Sequence, residues 1–507
     1  MNEEVEIIGH PPGLFILFFT EMWERFSYYG MRALLVLFLT TEYIKGGWGW
    51  TRSDALQLYG VYTALVYLTP IFGGMIADKL LGYRKAVVLG ALIMTLGHAS
   101  IAMDTHVTFY AGLALLIIGN GLFKPNISSI VGDLYLNHDE KKDGAYTIFY
   151  MGINAGAFLG ILLCGYIGEK IGWSYGFGLA GVFMFFGMLQ FWFAKNVFGN
   201  IGVAPSKAQV NIGTEVDTQP ETPAHISRDR IIVISIFAFF TIFFWMAYEQ
   251  AGGSMTIFAN DYTNRVLQGN SAIIFKWSDT LLTIVPMVIL TVVLFDLFKK
   301  TYKSILTSNL FLGTAFALIW ILVIWMLHRE FEATNSEVPA SWFGILNSFF
   351  IIALAPLFSK IWESKYNPSG PIKFALGLIL LGGGFALLAY GSSTISQGAK
   401  TASVSMVWLI LAYLLHTMGE LCLSPVGLSY VSKLSPPKII GLMFGVWFIA
   451  NFIANYLAGL TGSFIDKIIA AYSLADFFLF FTILPIFAGL ILILLNKFLI
   501  KKMHGFR

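Results

Sequence analysis

The sequence predicts an all-α integral membrane protein with fourteen transmembrane helices, six before a polar linker and eight after it. Three observations carry that expectation. The 507 residues are 57% hydrophobic and only 12% charged, against about 25% charged in soluble domains. Apolar stretches recur along the whole chain at roughly 20 residues each, the length of a helix that crosses a bilayer. Lys and Arg also concentrate in alternate loops, as the positive-inside rule requires of a correctly counted set of spans.

In chain order, the N-terminal "MNEEVEIIGHPPG" is acidic and has no cleavage site, so it does not read as a signal peptide. Six spans follow, near 13–39, 55–78, 85–103, 108–130, 145–168 and 174–194, forming an expected first bundle over 1–194. Residues 195–230 are rich in Pro, Thr and charge and read as a flexible cytoplasmic linker. Eight more spans lie near 231–258, 279–298, 305–328, 341–363, 373–392, 403–425, 438–463 and 476–500. The second bundle is therefore expected over 231–507, with 279–328 as an extra helical hairpin of little polarity, packed outside the bundle. With both termini cytoplasmic, about two-thirds of the 32 Lys and Arg fall on the inner side and about a quarter on the outer side. Cys164 and Cys422 lie in apolar segments without metal spacing and read as small core residues.

A few ionisable residues interrupt this apolar background. Glu21, Glu24, Arg25, Tyr28 and Arg32 are spaced i, i+3, i+4, i+7 and i+11 and share one helix face. Each charge at the bilayer centre costs about 3 kcal/mol or more, so this face must look into protein or a wet cavity. A carboxylate beside an arginine there can change protonation on a small rearrangement. The alternative, a salt bridge that only pins two helices, explains one pair more readily than four charges with adjacent tyrosines. Elsewhere Lys124 precedes Pro125, Asn154 sits in "FYMGINAG", Glu249 in "FFWMAYEQ", Asn347 in "NSFFIIALAP" and Trp447 in "MFGVWFIANF". Glu420 sits in "GELCLSPVG", where Pro425 is expected to interrupt the helix. Cations are prominent in the first half, acids and amides in the second. A ligand with one carboxylate and one ammonium complements that division.

The stretch "GGMIADKLLGYRK" (73–85) resembles the loop between the second and third helices of the major facilitator superfamily, with Gly74, Asp78, Lys79, Gly82, Arg84 and Lys85 in place. "EMWERFSYYG" resembles the E-x-x-E-R-F-x-Y-Y-G motif of proton-coupled oligopeptide transporters, the peptide transporter family of that superfamily. The likeness extends through "YLTPIFGGMIADKLLG", "GNGLFKPNISSIVGDLY", "FYMGINAG", "FFWMAYEQ" and "GELCLSPVGLS", nearly the whole chain. The resemblance implies two six-helix bundles plus the hairpin, and inward symport of di- and tripeptides with protons by alternating access. It implies proton coupling through Glu21, Glu24 and Arg25, together with Glu249 and Glu420. Arg25, Arg32 and Lys124 would take the peptide carboxylate, while Glu420, Asn154 and Asn347 would take its amino terminus. Tyr28, Tyr29, Tyr67 and Trp447 would wall the side-chain pockets. Arg32 with Glu249, and Lys124 with Glu420, would be salt-bridge gates.

Gly60 departs from the pattern, standing where animal members carry a His; His416, one turn before Glu420, is a candidate substitute, although a lone His on a membrane helix is more often a packed hydrogen-bonder. Nitrate and drug-like substrates are the competing cargoes, but nitrate gives Glu420 nothing to bind. The chain has no HExxH, GxSxG or GxxxxGK[ST], so no enzyme, metal or nucleotide chemistry is signalled. No cofactor is expected, nor a nucleic-acid partner. The partners expected are peptides, protons and the lipid of a bacterial inner membrane.

Overall fold

Within a bilayer no water is present to satisfy the backbone, so an apolar stretch must close its own hydrogen bonds, and helices do so. A computed structural model of the chain describes residues 6–136, 139–204, 223–436 and 439–505. Most of the expected linker, 205–222, lies outside these. The order is α1 (Pro12–Thr40), α2 (Arg52–Ile76), α3 (Tyr83–Ala102), α4 (His106–Asp133), α5 (Asp139–Lys170), α6 (Trp173–Phe193), α7 (Ala224–Tyr248), α8 (Ser254–Ile257), α9 (Asn270–Thr301), α10 (Leu306–Glu332), α11 (Ile345–Glu363), α12 (Gly370–Ser392), α13 (Val407–Leu434), α14 (Ile440–Gly462), α15 (Ile465–Ala471) and α16 (Leu474–Lys502). Two short two-stranded ladders complete the described secondary structure beside a few short helical turns.

Among the described residues, thirteen helical stretches are long and apolar enough to cross a membrane. α1, at 29 residues, has the length as well but carries Glu21, Glu24, Arg25 and Arg32. With it, the fourteen expected spans are all present as helices.

Local chemistry explains where several helices begin and bend. Pro12 opens α1, where a missing N–H costs nothing. At α4, Thr105 and Thr108 form a reciprocal capping box. Two expectations change. α13 runs unbroken through Pro425 to Leu434; inside a membrane protein, neighbouring groups can satisfy a backbone that proline disturbs. The span expected over 231–258 lies within the helical stretch Ala224–Tyr262, but its regular α-helix ends at Tyr248 and tightens into a 3-10 turn, Glu249–Gly252. Gly252 lies there because a Cβ would come 2.1 Å from the Tyr59 hydroxyl.

The chain divides into two compact units: Met1–Leu34 with Thr69–Val210 and Arg265–Trp342, and Leu35–Leu68 with Asn211–Asn264 and Phe343–Arg507. In the first, glycines let backbones touch. A Cβ at Gly156 of α5 would stand 2.2 Å from the Met22 carbonyl oxygen of α1, and one at Gly160 equally close to that of Phe26. Gly82 has φ 74°, and beside it the Arg84 guanidinium donates to the carbonyls of Lys195 and Gly199. The motif loop thereby pins the segment that leaves α6.

The hairpin α9–α10, placed with 231–507 by chain order, has its contacts in the first unit. Phe316 of α10 packs edge-on against Trp23 and Phe19, Phe311 stacks on Phe193, and Ser308 donates to the Gln190 carbonyl. Its return to α11 is tied to the end of α5. Glu169 accepts from the backbone N–H groups of Ala340 and Ser341, and Lys170 pairs with Glu337. Side-chain complementarity, not position along the chain, decides this grouping.

In the second unit, the start of α2 is anchored by Arg52. It pairs with Asp261 at 2.6 Å and Asp466 at 3.0 Å and donates to the Lys400 carbonyl. Further along, Gly60 meets Gly459 of α14 so closely that a Cβ on Gly60 would lie 2.5 Å from the Gly459 Cα.

Candidate functional site

In the first unit, α1 presents its charged face to protein. Glu21 is 2% exposed, Glu24 0% and Arg25 4%. The Arg25 Nε lies 2.8 Å from Glu21 Oε1 and 2.7 Å from Glu24 Oε2. One guanidinium thus serves two carboxylates, which offsets part of the desolvation cost of each. α4 supplies a third partner: Asn120 Nδ2 donates to Glu24 Oε1 at 2.9 Å. Lys124, one turn further along α4, also acts electrostatically on Glu24.

The aromatic residues follow the cations. The Arg25 guanidinium lies 5.7 Å from the Tyr28 ring centre, and that of Arg32 lies 5.9 Å from Tyr29. The two tyrosines meet edge to face. Such stacking holds a guanidinium without neutralising it. Asn154 of α5 is buried and donates back to the Tyr150 carbonyl of its own helix. It lies in the first unit.

The second unit gathers a separate cluster. Asn347 of α11 donates to Glu420 Oε2 at 2.9 Å, to the Tyr248 hydroxyl at 2.6 Å and to Thr417 at 3.2 Å. The Tyr248 hydroxyl also donates to Glu420. The described partners of Glu420 are thus neutral groups on α7 and α11. Glu249, next to Tyr248 but in the 3-10 turn, is buried and accepts from Tyr59 of α2 at 3.2 Å. Trp447 of α14 is buried against Gly427, where any side chain would strike the indole. Tyr67 lies half-buried on α2.

Gly60 now has a physical explanation: the backbone of α14 occupies the space a histidine would need. His416 is buried against Phe385, ring centres 4.5 Å apart, and among the described residues neither ring nitrogen has a hydrogen-bond partner. It packs as a ring. Sequence reasoning missed Asn120, Tyr248, Tyr59 and Thr417. The available signal was position: Asn120 is one turn from Lys124, and Thr417 is one turn from Glu420 on the other side of Met418.

An acid cluster in each unit, on a frame of fourteen long helices, agrees with comparisons to known proteins. The profile of the POT family matches residues 84–213 and 316–476. The chain is 34% identical to "Uncharacterized transporter YclF" of Bacillus subtilis, over 98% of this chain and 96% of the relative. The chain belongs to the POT family. Another POT-type relative, the "Di-/tripeptide transporter" of Lactococcus lactis subsp. cremoris, is 31% identical over 99% of both chains. The crystal structure of a peptide transporter POT in complex with sulfate superposes with a TM-score of 0.76 at 30% identity, covering 99% of this chain and 98% of that one. The protein is accordingly a multi-pass membrane transporter of the POT type, with the major facilitator fold, and not an enzyme.

Proposed function

We propose that this protein imports di- and tripeptides together with protons by alternating access across a bacterial cytoplasmic membrane, with both termini inside and no cofactor. The observation that carries the reading is the pair of clusters: buried Arg25 with Glu21 and Glu24 in one unit, half-buried Glu420 with Asn347 and Tyr248 in the other. Two acids sharing one arginine form a store for a proton, since protonating Glu24 leaves Arg25 fully paired with Glu21. The cations of α1 and α4, namely Arg25, Arg32 and Lys124, suit a peptide carboxylate. Glu420, Asn347 and Asn154 suit an ammonium. Tyr28, Tyr29, Tyr67 and Trp447 offer apolar walls that accept varied side chains. Arg32 with Glu249, and Lys124 with Glu420, are the proposed gates, released when an acid is protonated or a carboxylate binds. The relatives named as peptide transporters support the same cargo.

A proton moving inward through 100 mV supplies about 2.3 kcal/mol. The decisive experiment is uptake of labelled di-alanine into proteoliposomes with an inward proton gradient. Accumulation above the external level that is lost with an ionophore and in Glu24→Gln supports the proposal. Exchange without accumulation would overturn the coupling, and no peptide movement would overturn the cargo.

A further inference from the structure

Glu24 has around it the cations Arg25 and Lys124, the carboxylate of Glu21 and one amide. Arg25 reaches it at 2.7 Å, Glu21 shares that arginine from the same helix, and Lys124 acts on it from α4. The Ser27 hydroxyl is turned to the Glu24 backbone carbonyl. Arginine and lysine can only donate hydrogen bonds. They hold an ionised carboxylate well, but offer no acceptor to a carboxylic acid. With Oε2 held by Arg25, a proton arriving on Glu24 Oε1 would create a buried O–H facing Asn120, and it needs an acceptor on that side.

Asn120 supplies that acceptor. It is 1% exposed, its Nδ2 donates to Glu24 Oε1 at 2.9 Å, and its Oδ1 is buried without a hydrogen-bond partner among the described residues. An amide carries donor and acceptor on interchangeable arms, and its terminal torsion is close to two-fold. A half-turn brings Oδ1 to the place of Nδ2 with no movement of α4. We propose that Asn120 is a positioning residue for the proton step, donating to the ionised Glu24 and, turned over, accepting from the protonated acid. The proton binds Glu24 alone, and none passes through the amide. The inference rests on the reading of Glu24 as the proton carrier.

Removing the amide affects the two forms of Glu24 unequally, because a hydrogen bond to a charged oxygen is roughly twice as strong as a neutral one. The test uses the full-length protein in proteoliposomes, with di-alanine uptake measured against external pH for wild type, Asn120→Leu and Asn120→Asp. Leucine offers neither donor nor acceptor. Aspartate keeps the shape and can donate only when it holds a proton. In both variants the pH of half-maximal uptake is expected to rise by about one unit, while peptide exchange at fixed pH persists. In a Glu24→Gln background, Asn120→Leu is expected to leave exchange unchanged, since its action runs through that carboxyl. An unaltered pH profile in either variant that still exchanges peptide would overturn the proposal, as would an added loss of exchange in the Glu24→Gln background. Absence of proton-driven uptake in wild type would instead overturn the functional reading, so the two failures are distinguishable.

Discussion

Glu420 shows how a half-buried acid in a membrane span can be held by neutral donors. Its described partners are an amide and a phenol, both of which stabilise the charge by donating while leaving it free to attract an ammonium. Replacing it should therefore affect recognition of the amino terminus in particular. Glu420→Gln is expected to lower the preference for a free dipeptide over its N-acetylated form by about tenfold or more, the worth of a charge-assisted hydrogen bond. Competition uptake with the two ligands measures this; an unchanged ratio would place the ammonium elsewhere. The acids and cations were legible in the sequence because charge is rare in so apolar a chain. Asn120 and Tyr248 were not, because amides and phenols occur throughout membrane helices, and their partners are remote in sequence: Glu24 lies on another helix from Asn120, and Asn347 on another from Tyr248.

At the scale of elements, α5 is shaped by Gly152, Gly156 and Gly160, one per turn on the side facing α1. Small residues at this spacing let membrane helices approach to backbone contact, and here that contact lies along the charged turn of α1. Gly156→Val should cost about 1–3 kcal/mol through overpacking, read as a lower Tm in detergent; an unchanged Tm would mean that α1 can shift aside. The N-terminal segment is a second element with a testable device. Ile7 is fully buried, Ile7 and His10 exchange backbone hydrogen bonds, and His10 Nδ1 lies 2.7 Å from the Tyr135 hydroxyl. Burial, and then Lys141, hold His10 below its ordinary value of 6.5, against an opposing effect of Glu6. The free segment thus takes up its proton more readily than the docked one. Docking is fully stable above the ordinary value and weakens as pH falls below it. Hydrogen exchange at Ile7 and His10, corrected for the intrinsic rate, should accelerate on acidification, and His10→Gln should flatten that response.

For the whole molecule, the grouping of the hairpin has a direct consequence. α10 is fastened to α6 and α1 by ring packing and by Ser308, and the return to α11 is fastened to α5 by Glu169 and Lys170. The hairpin should therefore move with these helices as one body during transport. Joining Phe311→Cys to Phe193→Cys with a short thiol cross-linker, where the rings now stack at 5.5 Å, is expected to leave peptide uptake near the uncross-linked rate. Loss of uptake on cross-linking would mean that α10 slides on α6 during the cycle. The native Cys164 and Cys422 are buried and do not compete for the reagent.

The sequence by itself determined the class, the spans and the charged helix face. Hydrophobicity over a helix length and the sign of loop charges are properties of short windows, and a bilayer leaves helix as the solution for each. Tertiary structure alone decided what those helices do to one another. It set Asn120 against Glu24, replaced a histidine's space at Gly60 with the backbone of α14, carried α13 through Pro425, and attached the hairpin to the first unit. Each depends on which distant surfaces fit at atomic contact, and close packing makes that fit specific only once every neighbour is in place.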